Sequence, residues 1–197
     1  MRVSGPDAFV VTIPLVNFGL PKRKCYWLIS AGAREGSRAV RAVPIKVITV
    51  GKSSGGAADA YADEWASKVQ RYTKLELVHC KSNPKDAQNP AVAKQAEGER
   101  LLRLLKPQDF VIVMDERGKE LKSTDFAQLI AQAGDEGASS IAFCIGGPYG
   151  HTQQVRDKAT RSIKLSAMVL NHQVAKIMLL EQIYRAWTIL NGEPYHH

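Results

Sequence analysis

Cysteine is scarce in this chain of 197 residues. Cys25, Cys80 and Cys144 are widely spaced and form no Cys-x-x-Cys pair, which argues against a zinc ribbon or a disulfide framework and leaves them as reduced, structural thiols. Long apolar runs are missing too. The nearest candidate, Phe9 to Leu20, is interrupted by Thr12, Pro14, Asn17 and Gly19, so nothing approaches the roughly 20 apolar residues that a membrane helix needs. No Gly-x-Gly-x-x-Gly follows a strand, and no Gly-x-Ser-x-Gly elbow occurs, which removes the usual Rossmann site and the α/β-hydrolase nucleophile. Gly51-Lys52-Ser53 resembles the end of a P-loop, but the glycine required five positions earlier falls on Lys46, inside a strand. The terminal pair His196-His197 has no carboxylate or cysteine cluster at ligand spacing, so no metal is expected.

Acidic residues are sparse at the start of the chain. Residues 1–44 hold seven Lys or Arg against Asp7 and Glu35, and so carry five of the eight net positive charges. This segment has scattered glycines and prolines and no sustained period. It reads as a separate leader, most simply an organellar transit peptide directing the protein to a plastid or mitochondrion, or else an unstructured extension. If it is no targeting signal, the protein is expected in the cytoplasm. The remainder is only mildly basic.

What the chain does have is an ordinary globular composition, 45% hydrophobic and 23% charged, and enough length for one domain plus an appendage. From Ile45 onward short β-branched runs alternate with amphipathic stretches, the pattern of a mostly parallel sheet flanked by helices. Strands are expected over 45–50, 75–79, 110–114, 140–145 and 163–165. Helices are expected over 57–72, 90–105, from 123 or 124 to before Gly137, in a short piece capped by Thr152, and over 171–190. Ala57, Tyr61, Trp65, Val69 and Tyr72 read as one face of the first helix. A turn is expected at Arg117-Gly118, and Asn89-Pro90 reads as an N-cap followed by a first-turn proline. Val174, Ile177, Met178, Leu180, Ile183, Trp187 and Leu190 give the last helix more apolar surface than its own core requires, which suggests a partner.

The most informative stretch is Ile141-Ala-Phe-Cys-Ile-Gly146-Gly147-Pro148-Tyr149-Gly150, a buried strand ending in a rigid glycine turn. Gly146 and Gly147 would let a planar ligand approach the backbone, Pro148 stiffens the loop, and Gly150 tolerates a positive φ.

Behind it, in fixed order, come Leu165-Ser-Ala-Met168, Glu181-Gln-Ile-Tyr-Arg-Ala186 and Pro194-Tyr-His196. Together with the glycine turn, these segments resemble the RlmH family of ribosomal RNA methyltransferases across residues 45–197. The resemblance implies a SPOUT fold with a C-terminal deep trefoil knot, an exception to the rule against threaded chains. It implies S-adenosylmethionine as methyl donor, held by Met114, Gly146, Gly147, Leu165, Ser166, Ala167, Met168, Val169 and Leu170. It implies methylation of the N3 imide nitrogen of a pseudouridine in large-subunit rRNA of the assembled ribosome. Arg185, Tyr195 and His196 would be the catalytic residues: Arg185 stabilising an imidate or gripping phosphate, Tyr195 and His196 orienting the base or assisting proton loss. It also implies a homodimer in which tail and cofactor pocket of different subunits meet. Asn171, where a proline is common, and Ser53-Ser54-Gly55-Gly56, where a more basic connection is typical, depart from the pattern. The first would loosen the junction into the last helix, and the second would alter RNA contact. Two other readings remain open: a SPOUT enzyme acting on another RNA such as tRNA, and a catalytically silent RNA-binding ribosome-assembly factor.

Overall fold

The computed structural model describes residues 40–51, 55–81 and 89–195. Residues 1–39 of the proposed leader, and His196, lie outside these residues. A compact unit comprises residues 37–197.

Side-chain alternation builds the sheet. In β1 (Ile45–Val50), Ile45 and Val47 enter one core cluster while Ile48 and Val50 enter another. In β3 (Asp109–Glu120), Phe110, Ile112 and Met114 face the first cluster, and Val111 and Val113 the second. β4 (Ser140–Ile145) is buried at all six residues. Adding β2 (Leu75–Cys80) and β5 (Arg161–Lys164) gives the order β2-β1-β4-β3-β5, with every pairing parallel. Strands apolar on both faces require cover on both. The larger core lies under α1 (Ala57–Val69), α3 (Ser123–Asp135) and α5 (His172–Leu190), with α5 packed against both of the others. The smaller core, around Leu101 and Val155, lies under α2 (Pro90–Leu104) and α4 (Gln153–Lys158).

Local capping sets several boundaries. The Asn89 side chain accepts from the Ala91 and Val92 amides at the start of α2, and Thr152 accepts from the Val155 amide at the start of α4. Residues just before β1 also belong to the fold: Val43 is buried, its carbonyl accepts from Thr73 Oγ1, and the Pro44 carbonyl accepts from the Ile141 amide.

Several expectations need correction. β3 continues six residues past Met114, and Arg117-Gly118 lies within this extension, not in a turn. The pairing with β5 shifts register between Met114 and Lys119, and Gly118 is required because a Cβ there would collide with the Ile163 backbone. β5 begins at Arg161 and ends before Leu165. The buried stripe of α1 is Ala62, Trp65, Ala66 and Val69, while Tyr61 is 48% exposed, because α5 meets α1 one position round from the expected face. In α5, Leu180, Ile183 and Trp187 are part of the chain's own core, so the helix's surplus apolar surface shrinks to exposed Val174 and its half-buried neighbours.

Asp109 ties the amino ends of three strands together. One carboxylate oxygen accepts from Ser140 Oγ at 2.5 Å; the other accepts from the Lys106 amide at 2.8 Å and from Lys46 Nζ at 3.0 Å. Burial alone would raise its pKa, but these hydrogen bonds and the Lys46 charge outweigh burial and lower it. A carboxylate with a depressed folded pKa contributes stability above its unfolded value, about 3.9, and loses it as pH falls through the folded value. Asp109→Ala is therefore expected to cost about 3 kcal/mol at pH 7 in urea unfolding, since it leaves Lys46 and Ser140 unpaired. Asp109→Asn is expected to flatten the loss of stability below about pH 4.

Candidate functional site

Where the β3–β4 ladder ends, and beyond the carboxyl end of β5, lies a cavity of about 520 Å³, within the range of small-molecule sites. Parallel α/β sheets open their crevices at this edge, because the chain leaves each strand there by a loop. Met114 and Ile145 are the last pair of the β3–β4 ladder, and Leu165 and Leu170 flank the loop that leads into α5; together they form an apolar wall. Of the nine residues expected to hold the cofactor, all but Ala167 line this one cavity. Met168 and Val169 stand at 75% and 76% exposure, an apolar pair left open to a ligand or partner.

The glycine turn owes its composition to its own packing. The Gly150 amide donates to the Gly147 carbonyl, closing the turn, and Gly150 has φ +68°. A Cβ on Gly147 would stand 2.7 Å from Glu97 Oε2 and 3.2 Å from the Val50 side chain, and one on Gly146 would stand 3.2 Å from both the Gly150 carbonyl carbon and His151 Nε2. The reason for these glycines is thus close approach of α2 and of the turn's own far end, a reason that local sequence did not supply. Glu97 is buried, its Oε2 has no hydrogen-bond partner, and burial raises its pKa.

Charged groups missed by the sequence reading complete the wall. Asp115, directly after Met114, accepts from Arg156 Nε at 2.7 Å and from the Arg117 amide at 3.0 Å. Burial pushes its pKa up, but those two bonds and the Arg156 charge prevail and lower it, so Asp115 is ionised at neutral pH. Lys94, Glu116, Arg117 and Lys164 also border the cavity. The signal that could have found Asp115 is its place directly after the apolar run Phe110–Met114 of a central parallel strand. His172, on the first turn of α5, lines the cavity and packs against Gly51, whose φ is +133°. The Asn171 side chain accepts from the Gln173 amide at 2.9 Å and caps α5, so the residue that replaces the usual proline secures this junction instead of loosening it.

Of the residues expected to be catalytic, Arg185 and Tyr195 lie elsewhere. Arg185 pairs with Glu181 at 2.9 Å and stacks over the Tyr195 ring at 4.8 Å, while Tyr195 Oη donates to the same Glu181 oxygen at 3.2 Å. Tyr72 Oη donates to Glu193 at 2.5 Å and fastens the tail to the turn that follows α1. Burial, helped by Glu181, raises the Tyr195 pKa, so its phenol keeps its proton and serves as a donor. From His172 to Arg185 the rise along α5 is about 20 Å. Within one chain the cofactor cavity and the Arg185–Tyr195 cluster therefore stand apart.

A family described as predicted SPOUT methyltransferase matches residues 43–196. The chain is 46% identical over 164 residues to an Arabidopsis thaliana protein provisionally named an RNA methyltransferase, covering 83% of this chain and 85% of that one. It is 45% identical over 153 residues to ribosomal RNA large subunit methyltransferase H of Geotalea uraniireducens, covering 78% of this chain and 99% of the relative. A crystal structure of a probable methyltransferase from Bordetella pertussis superposes with a TM-score of 0.50 at 19% identity, over 73% of this chain and 94% of that one, and shares the fold.

The packing of the turn yields a direct test. Gly147→Ala must displace either Glu97 or the turn, so titration calorimetry should show S-adenosylmethionine bound at least about tenfold more weakly, or 1.4 kcal/mol. Unchanged affinity would remove the turn from the cofactor site.

Proposed function

The chain belongs to the SPOUT methyltransferase family, and from that premise we propose that it transfers the methyl group of S-adenosylmethionine to the N3 imide nitrogen of a pseudouridine in large-subunit ribosomal RNA. The observation that carries the proposal is the gathering of Met114, the glycine turn and the 165–170 loop around one cavity whose wall is apolar on one side and charged on the other. That combination fits S-adenosylmethionine, which has a flat adenine, an amino-acid end bearing both charges, a cationic sulfur and no phosphate. Asp115, ionised at the wall, is suited to positive charge, and Arg156 and Lys164 to a carboxylate.

When bound, the cofactor supplies an electrophilic methyl group. The protein's task is to align the nucleophilic nitrogen, to exclude water and to favour loss of the imide proton. Lys94 and Arg117 at the rim offer charge to RNA phosphates. Arg185 is a permanent cation able to stabilise the imidate that forms as the proton leaves, and Tyr195 is a donor able to fix the base through an oxygen. His196 belongs to the same tail in this reading.

The separation along α5 supports a homodimer in which the Arg185–Tyr195 cluster of one subunit completes the cavity of the other, with exposed Val174, Met168 and Val169 as apolar surface to be covered. The trefoil knot is part of the same reading, supported by the return of α5 across the sheet to lie between α1 and α3 after the 165–171 loop. The plant and bacterial relatives support an organellar site of action, in a plastid or mitochondrion, reached through the basic leader.

Tritiated methyl transfer tests the proposal, with intact bacterial-type ribosomes, separated subunits and bulk tRNA as parallel substrates. Label in large-subunit RNA is the expected result. Label in tRNA alone would move the substrate, and cofactor binding without any label would favour a silent assembly factor. For the dimer, an inactive Gly147→Val variant mixed and refolded with an inactive Arg185→Ala variant should recover about one quarter of wild-type activity, because half of randomly paired dimers keep one intact composite site. No recovery would place the whole site within one subunit.

A further inference from the structure

His151 follows the glycine turn directly and is 3% exposed, yet its Nε2 has no hydrogen-bond partner. The ring folds back beneath the turn, with Nε2 3.2 Å from where a Gly146 Cβ would stand. On its other side it meets the backbone of Met114 and Cys144, at the ends of β3 and β4. Nε2 is unpartnered, which leaves the backbone contacts to Nδ1; with the proton of the neutral ring on Nδ1, Nε2 presents a bare lone pair toward Gly146. The imidazole thus fills the space between two strand ends and the turn, all of which line the cofactor cavity.

We propose that His151 is a positioning residue for S-adenosylmethionine: as the neutral imidazole it braces the Gly146–Gly150 turn against β3 and β4 in the shape that accepts the cofactor. This rests on the cofactor reading given above. A proton added at Nε2 would create a buried N–H with no acceptor, pressed against Gly146, and could be relieved only by movement of the turn. The charged and titratable groups around the ring are the Asp115 carboxylate from β3, the Arg156 guanidinium from α4 and the Cys144 thiol from β4, with Glu97 of α2 across Gly147. Burial, chiefly, depresses the His151 pKa; Asp115 and the backbone contacts oppose this, and Arg156 reinforces it. The neutral ring therefore predominates at pH 7, and the brace weakens as pH falls through a value below the ordinary 6.5 or so.

The experiment is calorimetric titration of the full-length protein with S-adenosylmethionine between about pH 8 and pH 5, with circular dichroism at each pH as a control for folding. Wild type should lose affinity severalfold toward the acid end, as expected for one proton taken up by a depressed histidine. His151→Asn, whose side-chain N–H can replace Nδ1–H but cannot titrate, should bind within about fivefold of wild type at pH 7 and show no acid loss. His151→Ala should bind at least about tenfold more weakly at all pH values, and Glu97→Gln should retain the wild-type slope. An unchanged slope in His151→Asn, loss of the slope in Glu97→Gln, or wild-type affinity in His151→Ala would each overturn the assignment. Failure of wild type to bind S-adenosylmethionine at any pH would overturn the cofactor reading itself, a result separate from any failure of the brace.

Discussion

The structure depends on the complete burial of β4. With six consecutive residues out of solvent and parallel partners on both sides, this strand needs helices over each face of the sheet, and α1, α3 and α5 on one side and α2 and α4 on the other supply them. The chain leaves β4 at Ile145, into the space between the ends of its neighbours, and the glycine turn there has to be built among groups already fixed by the sheet. Asp109 secures the opposite edge, where its carboxylate gathers Lys46, Lys106 and Ser140. One edge of the sheet is thus tied by a fully paired buried charge, and the other opens into the cavity.

The cavity edge is less completely satisfied. Glu97 and His151 approach the glycine turn through buried atoms that have no hydrogen-bond partner, and burial shifts both groups toward their neutral forms. Asp115, a few residues away in space, differs because Arg156 and the Arg117 amide hold it ionised. A buried carboxyl and a buried imidazole beneath the turn and an ionised pair beside it divide the site into a part that shapes the backbone and a part suited to a charged ligand. Such contrast between neighbouring environments recurs where proteins bind and transform charged molecules.

α5 joins the two halves of the proposed chemistry and also keeps them apart. Its first turn borders the cavity through His172 and Ala175, while Arg185, Glu181 and Tyr195 cluster near its other end. A rigid helix packed between α1 and α3 cannot bend to bring them together, so the RNA methyltransferase reading leads to a second subunit.

The sequence by itself determined the alternation of strands and helices, the two-sided burial of the central strands, the caps at Asn89 and Thr152, and a glycine turn at the end of a core strand. These are local properties, set by backbone period and by side chains reaching their own neighbours, so they can be read along the chain. The resemblance in ordered motifs added the family and the residues that turn out to share one cavity. Tertiary structure alone decided that Arg117-Gly118 extends a strand, that Gly147 faces Glu97, that Asp115 pairs with Arg156 forty-one positions away, and that Asn171 secures α5. It also decided that Leu180, Ile183 and Trp187 are spent on the protein's own core. The physical reason is common to most of these. Such contacts join residues distant in sequence, and they are fixed by the order and register in which parallel strands are crossed, which no local pattern encodes.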